Sequence, residues 1–322
     1  MLRRDFMKRT ATLTALLPLS GWNKFMTADK LLFMDADVIK IKLGEYNCTI
    51  FRDLTFKYLA KDFFINATEA ELTQSLLKYR ISPDNIPSPF IALLLENKTR
   101  KILVDTGIGF LDEPLVFRGT TYAFKGQLEH LLDQQHITGE EITDVVVTHF
   151  HPDHIGGISA GDGKLRFPKA RFHMHEEEWS YWHSSRADHE PALFRYFIEK
   201  NITPLKNGNL NLFRGDNTEI FSGVTALMAA GHTPGQIALN IKSEHGHLLY
   251  ISDAFLHPLH LEKLDWRTNY DLDHTLAKQT RIKLAELAYK ENMLVNAFHF
   301  DFPGLGRIDK VKNVFTWKYS EI

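Results

Sequence analysis

The feature that most constrains this chain is a group of four metal-ligand side chains within six residues. His149, His151, Asp153 and His154 directly follow the β-branched run Ile142–Thr148, which predicts a buried strand. The first two histidines are two residues apart, so in an extended chain both imidazoles leave from the same side. A proline then bends the chain, so that the aspartate and the last histidine can face a second point. Four such groups in a buried loop are costly unless they are paired or bind a metal, and zinc and similar divalent ions accept these ligands.

Composition excludes several other classes of protein. With 44% hydrophobic and 24% charged residues over 322 positions, the chain has the balance of an ordinary globular protein. Cys48 is the only cysteine, which excludes an intramolecular disulfide, a Cys-rich zinc module and a CxxC redox centre. No apolar run reaches about 18 residues, so we expect no membrane span.

The first 28 residues have the layout of an export signal. Arg3 and Arg4 open a basic head, and a short apolar stretch covers residues 10–19, which resembles a bacterial twin-arginine signal peptide. We therefore expect residues 1–28 to be a signal cleaved near Ala28, and residues 29–322 to form one periplasmic or secreted domain. The alternative is a disordered basic N-terminus on a cytoplasmic protein. The whole chain has 38 basic and 40 acidic residues, and residues 1–28 hold five of the basic residues and one of the acids. The remaining 33 basic and 39 acidic residues give a net charge of −6. This charge disfavours nucleic acid as a partner.

The pattern of apolar residues predicts an α/β fold. Residues 38–59 read as two antiparallel strands around Phe51-Arg52-Asp53, and a second hairpin covers residues 90–95 and 101–105. Further strands are expected at residues 210–213, 224–229, 237–241, 248–251 and 293–298, and helices at 124–135 and 274–289. Strands in two groups, each followed by helices, indicate two sheets packed face to face with helices outside.

Residues 60–89 have no obvious sheet partner and are expected to form an arm over one end of the sandwich. The segment begins with Phe63 and Phe64, and Thr68-Glu-Ala-Glu71 is a capping box that predicts a helix to about Tyr79.

Five motifs in order are similar to those of the metallo-β-lactamase superfamily, and the resemblance covers about residues 40 to 318. The first is His149-x-His151-x-Asp153-His154, and the others are Leu103–Gly107, Ala230–Gly235, Tyr250–Asp253 and Ala297–His299. The resemblance implies a four-layer αββα sandwich that holds two divalent metal ions, expected to be Zn²⁺, at the sheet edges.

The resemblance also implies a role for each site residue. One metal takes His149, His151 and His232; the other takes Asp153, His154 and His299; Asp253 bridges them; and Asp105 supports a ligand histidine. Asp153 and Asp253 are the expected catalytic residues, because two metals that share a hydroxide provide the nucleophile for hydrolysis.

Within the superfamily we expect an N-acyl homoserine lactonase, a quorum-quenching enzyme. Asp253 argues against the true β-lactamases, and the negative charge of the mature chain gives no RNA-binding face. Phe63, Phe64, Leu256 and His257 are candidate pocket residues for an ester or lactone. Familiar lactonases carry a tyrosine where this chain has Leu256, so His257 or another tyrosine would have to replace it. The alternative is a phosphotriester hydrolase of the methyl-parathion type, and a homodimer stays open.

Several other residues have simpler explanations. His173 and His175 repeat the HxH spacing but lack the following Asp-His, so we expect a strand end leading into a helix rather than ligands. His260 is expected on the surface or in a loop, and Cys48 in a buried strand. A binding or redox module without hydrolysis is disfavoured, because oxygen-reducing relatives carry a glutamate where His151 lies.

Overall fold

The computed structural model describes residues 30–34, 36–111, 113–117, 120–160, 162–207, 209–244 and 246–320. The predicted signal at residues 1–28 lies outside them. Within these ranges, no helix combines the length and the apolar character needed to cross a membrane.

The first sheet has eight strands in the order β1-β2-β3-β4-β5-β8-β9-β10. The strands are β1 (Lys30–Met34), β2 (Val38–Leu43), β3 (Tyr46–Tyr58), β4 (Ile86–Glu96), β5 (Lys101–Val104), β8 (Asp144–Val146), β9 (Arg171–His175) and β10 (Leu210–Phe213). Strands β5, β8, β9 and β10 run parallel, and the others are antiparallel. A separate hairpin joins β6 (Leu115–Phe117) and β7 (Thr120–Tyr122).

The second sheet has seven strands in sequential order. They are β11 (Thr218–Phe221), β12 (Val224–Met228), β13 (Ile237–Ser243), β14 (Gly246–Tyr250), β15 (Leu294–Asn296), β16 (Leu305–Val311) and β17 (Val314–Tyr319). Only the β14–β15 pair is parallel.

Eight α-helices are described around the sheets. They are α1 (Ala60–Phe63), α2 (Glu69–Leu77), α3 (Leu128–Gln134), α4 (Pro152–Ile155), α5 (Glu176–Trp182), α6 (Ala192–Asn201), α7 (Leu259–Glu262) and α8 (His274–Lys290).

Both faces of the second sheet are buried. Successive side chains of a strand point to opposite sides, so one strand contributes to two cores. In β14, Leu248 and Tyr250 join the core shared with the first sheet, whereas Leu249 joins a second core. Leu284 and Ala288 of α8 fill that second core from outside. This arrangement confirms the expected αββα sandwich.

One predicted turn is wrong. The sequence places a turn at Phe51-Arg52-Asp53, but β3 continues through these residues and the turn lies at Gly44, which has a φ of 56°. The register shifts between Arg52 and Leu54, so the polar residues mark a bulge in one long strand. The bulge lets the buried Asp53 carboxylate accept hydrogen bonds from the backbone of two later segments.

The arm and the other predicted elements follow the sequence more closely. Thr68 and Glu71 form the expected capping box at the start of α2. Phe63 and Phe64 are buried in a third apolar cluster with Leu256 and other residues that follow β14. The arm therefore covers the end of the sandwich next to the loop that carries Asp253. The strands β1, β6, β7, β11 and β16 were not predicted.

Candidate metal centre

The ends of four strands place the predicted ligands at one edge of the sandwich. His149 and His151 follow β8, Asp153 and His154 lie in the short helix α4 that comes next, and His232 follows β12. Asp253 and His299 follow β14 and β15, which are parallel neighbours and therefore end at the same edge. All seven ligand side chains are buried.

One group of four side chains consists of His149, His151, His232 and Asp253, whose ligand atoms lie within 4.8 Å of one another. His232 Nε2 is 2.9 Å from His151 Nδ1 and 3.4 Å from Asp253 Oδ2. His149 Nε2 is 3.9 Å from the same carboxylate oxygen.

The second group consists of Asp153, His154, His299 and again Asp253. His154 Nε2 is 3.1 Å from Asp253 Oδ1, and His299 Nε2 is 3.0 Å from Oδ2. Asp153 Oδ2 lies 3.5 Å from His299 Nε2. Because Asp253 belongs to both groups, its carboxylate is placed between them.

The donor atoms fit divalent cations. His149 Nε2, His154 Nε2 and Asp253 Oδ1 are buried, and within the described residues none of them has a hydrogen-bond partner in suitable geometry, although the last two approach to 3.1 Å. Such atoms are costly to bury unless something binds them, and imidazole nitrogen with carboxylate oxygen suits zinc and related ions.

Burial also keeps two of the histidines in the form that binds metals. It lowers the pKa of His149 and of His151 well below its usual value, so both rings are neutral near pH 7. Burial alone would raise the pKa of Asp253, but the His299 and His154 rings outweigh it and hold that pKa well below its usual range.

His149 Nδ1 lies 3.2 Å from Thr148 Oγ1, and the second ring nitrogen of three other ligand histidines is also held by a hydrogen-bond partner. His154 Nδ1 is 2.8 Å from Asp105 Oδ2, the residue that the sequence expected in this place. Asp105 has a φ of 57° and also accepts hydrogen bonds from Thr148 and from the Tyr250 hydroxyl. Such partners orient the ring and select its tautomer.

Sequence reasoning missed the partners of the other two histidines. Ser88 Oγ lies 2.9 Å from His299 Nδ1, and Asp271 Oδ1 lies 3.2 Å from His232 Nδ1. Arg281 is fully buried and donates a hydrogen bond of 2.7 Å to the other oxygen of Asp271. One feature that could have indicated the Asp271 partner is Arg281, a charged residue at a position of α8 that faces the core.

A pocket of about 590 Å³, including its open mouth, lies over the ligands. His151, Asp153, His232, Asp253 and His299 form part of its wall. The rest is mainly aromatic and aliphatic: Phe56, Tyr58, Phe63, Phe90, Ile108, Tyr122, Phe124, Pro152, Leu193, Phe194, Leu256 and Tyr270.

Two of the four candidate pocket residues line this pocket, and two do not. Phe63 and Leu256 are in its wall, but Phe64 packs against His260 and Trp266 instead. His257 packs against Tyr79, and its Nδ1 accepts a hydrogen bond from the Leu259 backbone. These two predictions are corrected, because the two rings pack against each other and against the arm rather than lining the pocket.

His260 is also corrected, because it is fully buried rather than on the surface. Its Nδ1 accepts a hydrogen bond from Leu256 N, and its Nε2 donates to the Phe63 carbonyl at 3.0 Å. The ring therefore ties the arm to the loop after Asp253.

The HxH pair of β9 lies outside both ligand groups. His173 Nε2 is 2.8 Å from Asp144 Oδ1, and its Nδ1 is 3.0 Å from Asn211. His175 caps α5 by accepting a hydrogen bond from Glu177 N. Cys48 is buried in β3, as expected.

Comparisons with known proteins agree with this geometry. The family model described as "Metallo-beta-lactamase superfamily" matches residues 92–294. An N-acyl homoserine lactonase of Bacillus cereus is 26% identical over 249 residues, which cover 73% of this chain and 91% of that protein. A probable metallo-hydrolase of Mycobacterium tuberculosis is 30% identical over 186 residues, 51% of this chain and 56% of that protein.

Solved structures are similar over most of the chain. AidC, a dizinc quorum-quenching lactonase solved with a product, has a TM-score of 0.76 and 25% identity, covering 89% of this chain and 98% of AidC. The hydrolase AbOPH of the beta-lactamase superfamily has a TM-score of 0.78 at 22% identity, covering 90% of this chain and 99% of AbOPH. At this identity the similarity shows the fold alone.

Proposed function

The chain belongs to the metallo-beta-lactamase superfamily, and we propose that this metallo-hydrolase opens the lactone ring of N-acyl homoserine lactones with two divalent cations, zinc in its native state. The observation that carries the proposal is that two ligand groups share Asp253 in the wall of an apolar, aromatic pocket. The similarity to homoserine lactonases over most of the chain supports the substrate class.

Seven side chains would hold the cations. His149, His151 and His232 would bind one cation, Asp153, His154 and His299 the other, and Asp253 both. When bound, such a pair supplies an activated water as nucleophile and polarises the substrate carbonyl. Because bound divalent cations would lower the pKa of that water, no side chain has to be assigned as the base.

The pocket suits a substrate with an apolar tail. Its wall outside the ligands is mainly aromatic and aliphatic, so an acyl chain would be removed from water there at roughly 25 cal/mol per Å². The polar lactone would then lie against the ligand end of the pocket, where its carbonyl can react.

Two tyrosines can compensate for Leu256. Tyr58 and Tyr270 both line the pocket, and their rings are 5.7 Å apart. The Tyr58 ring also lies 6.3 Å from that of His299, which puts this tyrosine beside the ligands. We propose that one of these hydroxyls donates a hydrogen bond to the substrate carbonyl.

A substrate panel tests the proposed function. Purified chain with zinc is assayed for kcat/KM on homoserine lactones of increasing acyl length, on an unsubstituted lactone and on phosphotriesters. The proposal expects the highest value for acyl lactones, and Tyr58→Phe or Tyr270→Phe should lower kcat about tenfold or more. A higher kcat/KM for phosphotriesters would contradict it in favour of the alternative hydrolase.

We also propose that residues 1–28 direct export of the folded enzyme. The supporting feature is the Arg3-Arg4 pair followed by a short apolar stretch. Fractionation of bacterial cells should find the wild-type chain in the periplasm or medium, and an Arg3→Lys/Arg4→Lys variant in the cytoplasm. Equal distributions would contradict a twin-arginine signal.

A further inference from the structure

Glu178 is a buried carboxylate that the function described so far does not use. It lies in α5, is 1% exposed, and makes four hydrogen bonds. Every one of its partners is a donor: Phe150 N at 2.9 Å, Trp182 Nε1 at 2.7 Å, Thr233 Oγ1 at 2.7 Å and Gly235 N at 2.9 Å.

The two oxygens of this carboxylate serve two different ligand loops. Oε1 accepts from Phe150 N, and Phe150 lies between the ligands His149 and His151. Oε2 accepts from Thr233 and Gly235, which follow the ligand His232. The two loops are far apart in sequence and meet on one side chain.

The second loop approaches α5 closely. A Cβ at Gly235 would lie 2.0 Å from Glu178 N and 2.5 Å from Glu178 Cα. Only glycine permits that approach, so the backbone here is held directly against the helix. The contact is therefore set by the packing of backbone on backbone as well as by the carboxylate.

We infer that Glu178 is a positioning residue that sets the distance between the His149–His151 loop and the His232 loop, and thereby the affinity of one of the two cation sites. This inference rests on the proposed two-cation site. The four hydrogen bonds of Glu178 go to its own helix, to the His149–His151 loop and to the His232 loop, so we expect its loss to act mainly on the site of these three histidines.

Glu178→Gln is a sharp perturbation because it keeps the size of the side chain. At the Oε1 position an amide NH₂ would face two N–H donors and lose both hydrogen bonds. At the Oε2 position it would lose the hydrogen bond of Gly235 N, whereas the Thr233 hydroxyl can rotate to accept. If hydrogen bonds at the Oε2 position are lost, the His232 loop is held less firmly against α5. If those at the Oε1 position are lost, the same holds for the His149–His151 loop. Either way the three histidines no longer share one fixed geometry.

The test is zinc titration of the metal-free full chain by calorimetry, with circular dichroism to verify that each variant is folded. Wild type should bind two ions. Glu178→Gln should keep the affinity of one and weaken the other at least tenfold, in line with the effect of removing groups that orient ligands. Thr233→Val removes one donor to Glu178 with little change of shape and should weaken zinc binding at the same site. This second variant tests the inference even if Glu178→Gln does not fold.

The neighbouring Glu177 provides the matched control, because it pairs with Arg186 at the surface. Glu177→Gln should leave both zinc affinities unchanged. Two-site binding in wild type that neither Glu178→Gln nor Thr233→Val alters would overturn this inference alone. A wild-type chain that binds no zinc would contradict the proposed function and this inference with it.

Discussion

Arg281 forms a buried ion pair whose contribution to stability can be worked out from its contacts. Its Nη2 donates to Asp271 Oδ2 and its Nε donates to the Ala254 carbonyl, each at 2.7 Å. Burial would raise the pKa of Asp271, but the Arg281 guanidinium holds it well below the usual range. The pair thus joins His232, through Asp271, to the loop that carries Asp253.

Arg281→Met keeps an apolar side chain on α8 but leaves the Asp271 carboxylate and the Ala254 carbonyl without this donor. A charge-assisted hydrogen bond contributes about 1.5–3 kcal/mol, and an unsatisfied buried carbonyl costs about 1–3 kcal/mol. We expect the free energy of unfolding to fall by about 4 kcal/mol, within the range of about 3–5 kcal/mol for breaking a buried pair.

Urea unfolding of the metal-free chain, followed by circular dichroism at neutral pH, measures this loss. Asp271→Asn in the same chain removes the unpaired charge, so the double variant should be more stable than Arg281→Met alone. The coupling free energy of the double-mutant cycle should therefore be about 2 kcal/mol or more. A loss below 1 kcal/mol for Arg281→Met, or strictly additive effects, would refute the reasoning.

Three further predictions concern single side chains. Burial lowers the pKa of His257 from 6.5 to about 3. The unfolded chain therefore binds a proton at this residue below pH 6.5 that the folded chain does not, so the free energy of unfolding falls as the pH falls. Between pH 8 and pH 5 this decrease is about 2 kcal/mol. His257→Asn should remove that part of the pH dependence of urea unfolding, and an unchanged profile would contradict the assignment. His173→Ala should leave the metal content intact, since both ring nitrogens face Asp144 and Asn211; a drop measured by mass spectrometry would count against it. Asp253→Ala should bind at most one cation and lose most turnover, and full occupancy by two would refute a shared ligand.

The predicted part of the site depends on short-range patterns. His149 to His154 lie within six residues, so spacing alone suggested a metal site, and Asp253 and His299 end strands that were recognisable by their apolar runs. The alternation of residues in the second sheet likewise predicted most of its strands. These features are visible because the residues that cooperate are close in sequence or repeat with a period of two.

The missed part depends on contacts between distant residues. Glu178 meets Gly235 across 57 positions, and Ser88 meets His299 across 211. Acids in the first turn of a helix are common, so nothing local distinguishes Glu178 from Glu177. The misplaced turn at Asp53 has the same origin, since its polarity serves backbone donors more than 50 residues away.

We propose above that two cations that share Asp253 are needed for lactone hydrolysis. The most direct measurement removes all metal with a chelator, returns zinc in steps, and follows bound zinc and turnover of an acyl homoserine lactone together. We expect no turnover without metal and full turnover only as the second equivalent binds. Turnover by the metal-free chain, or saturation with a single equivalent, would contradict it.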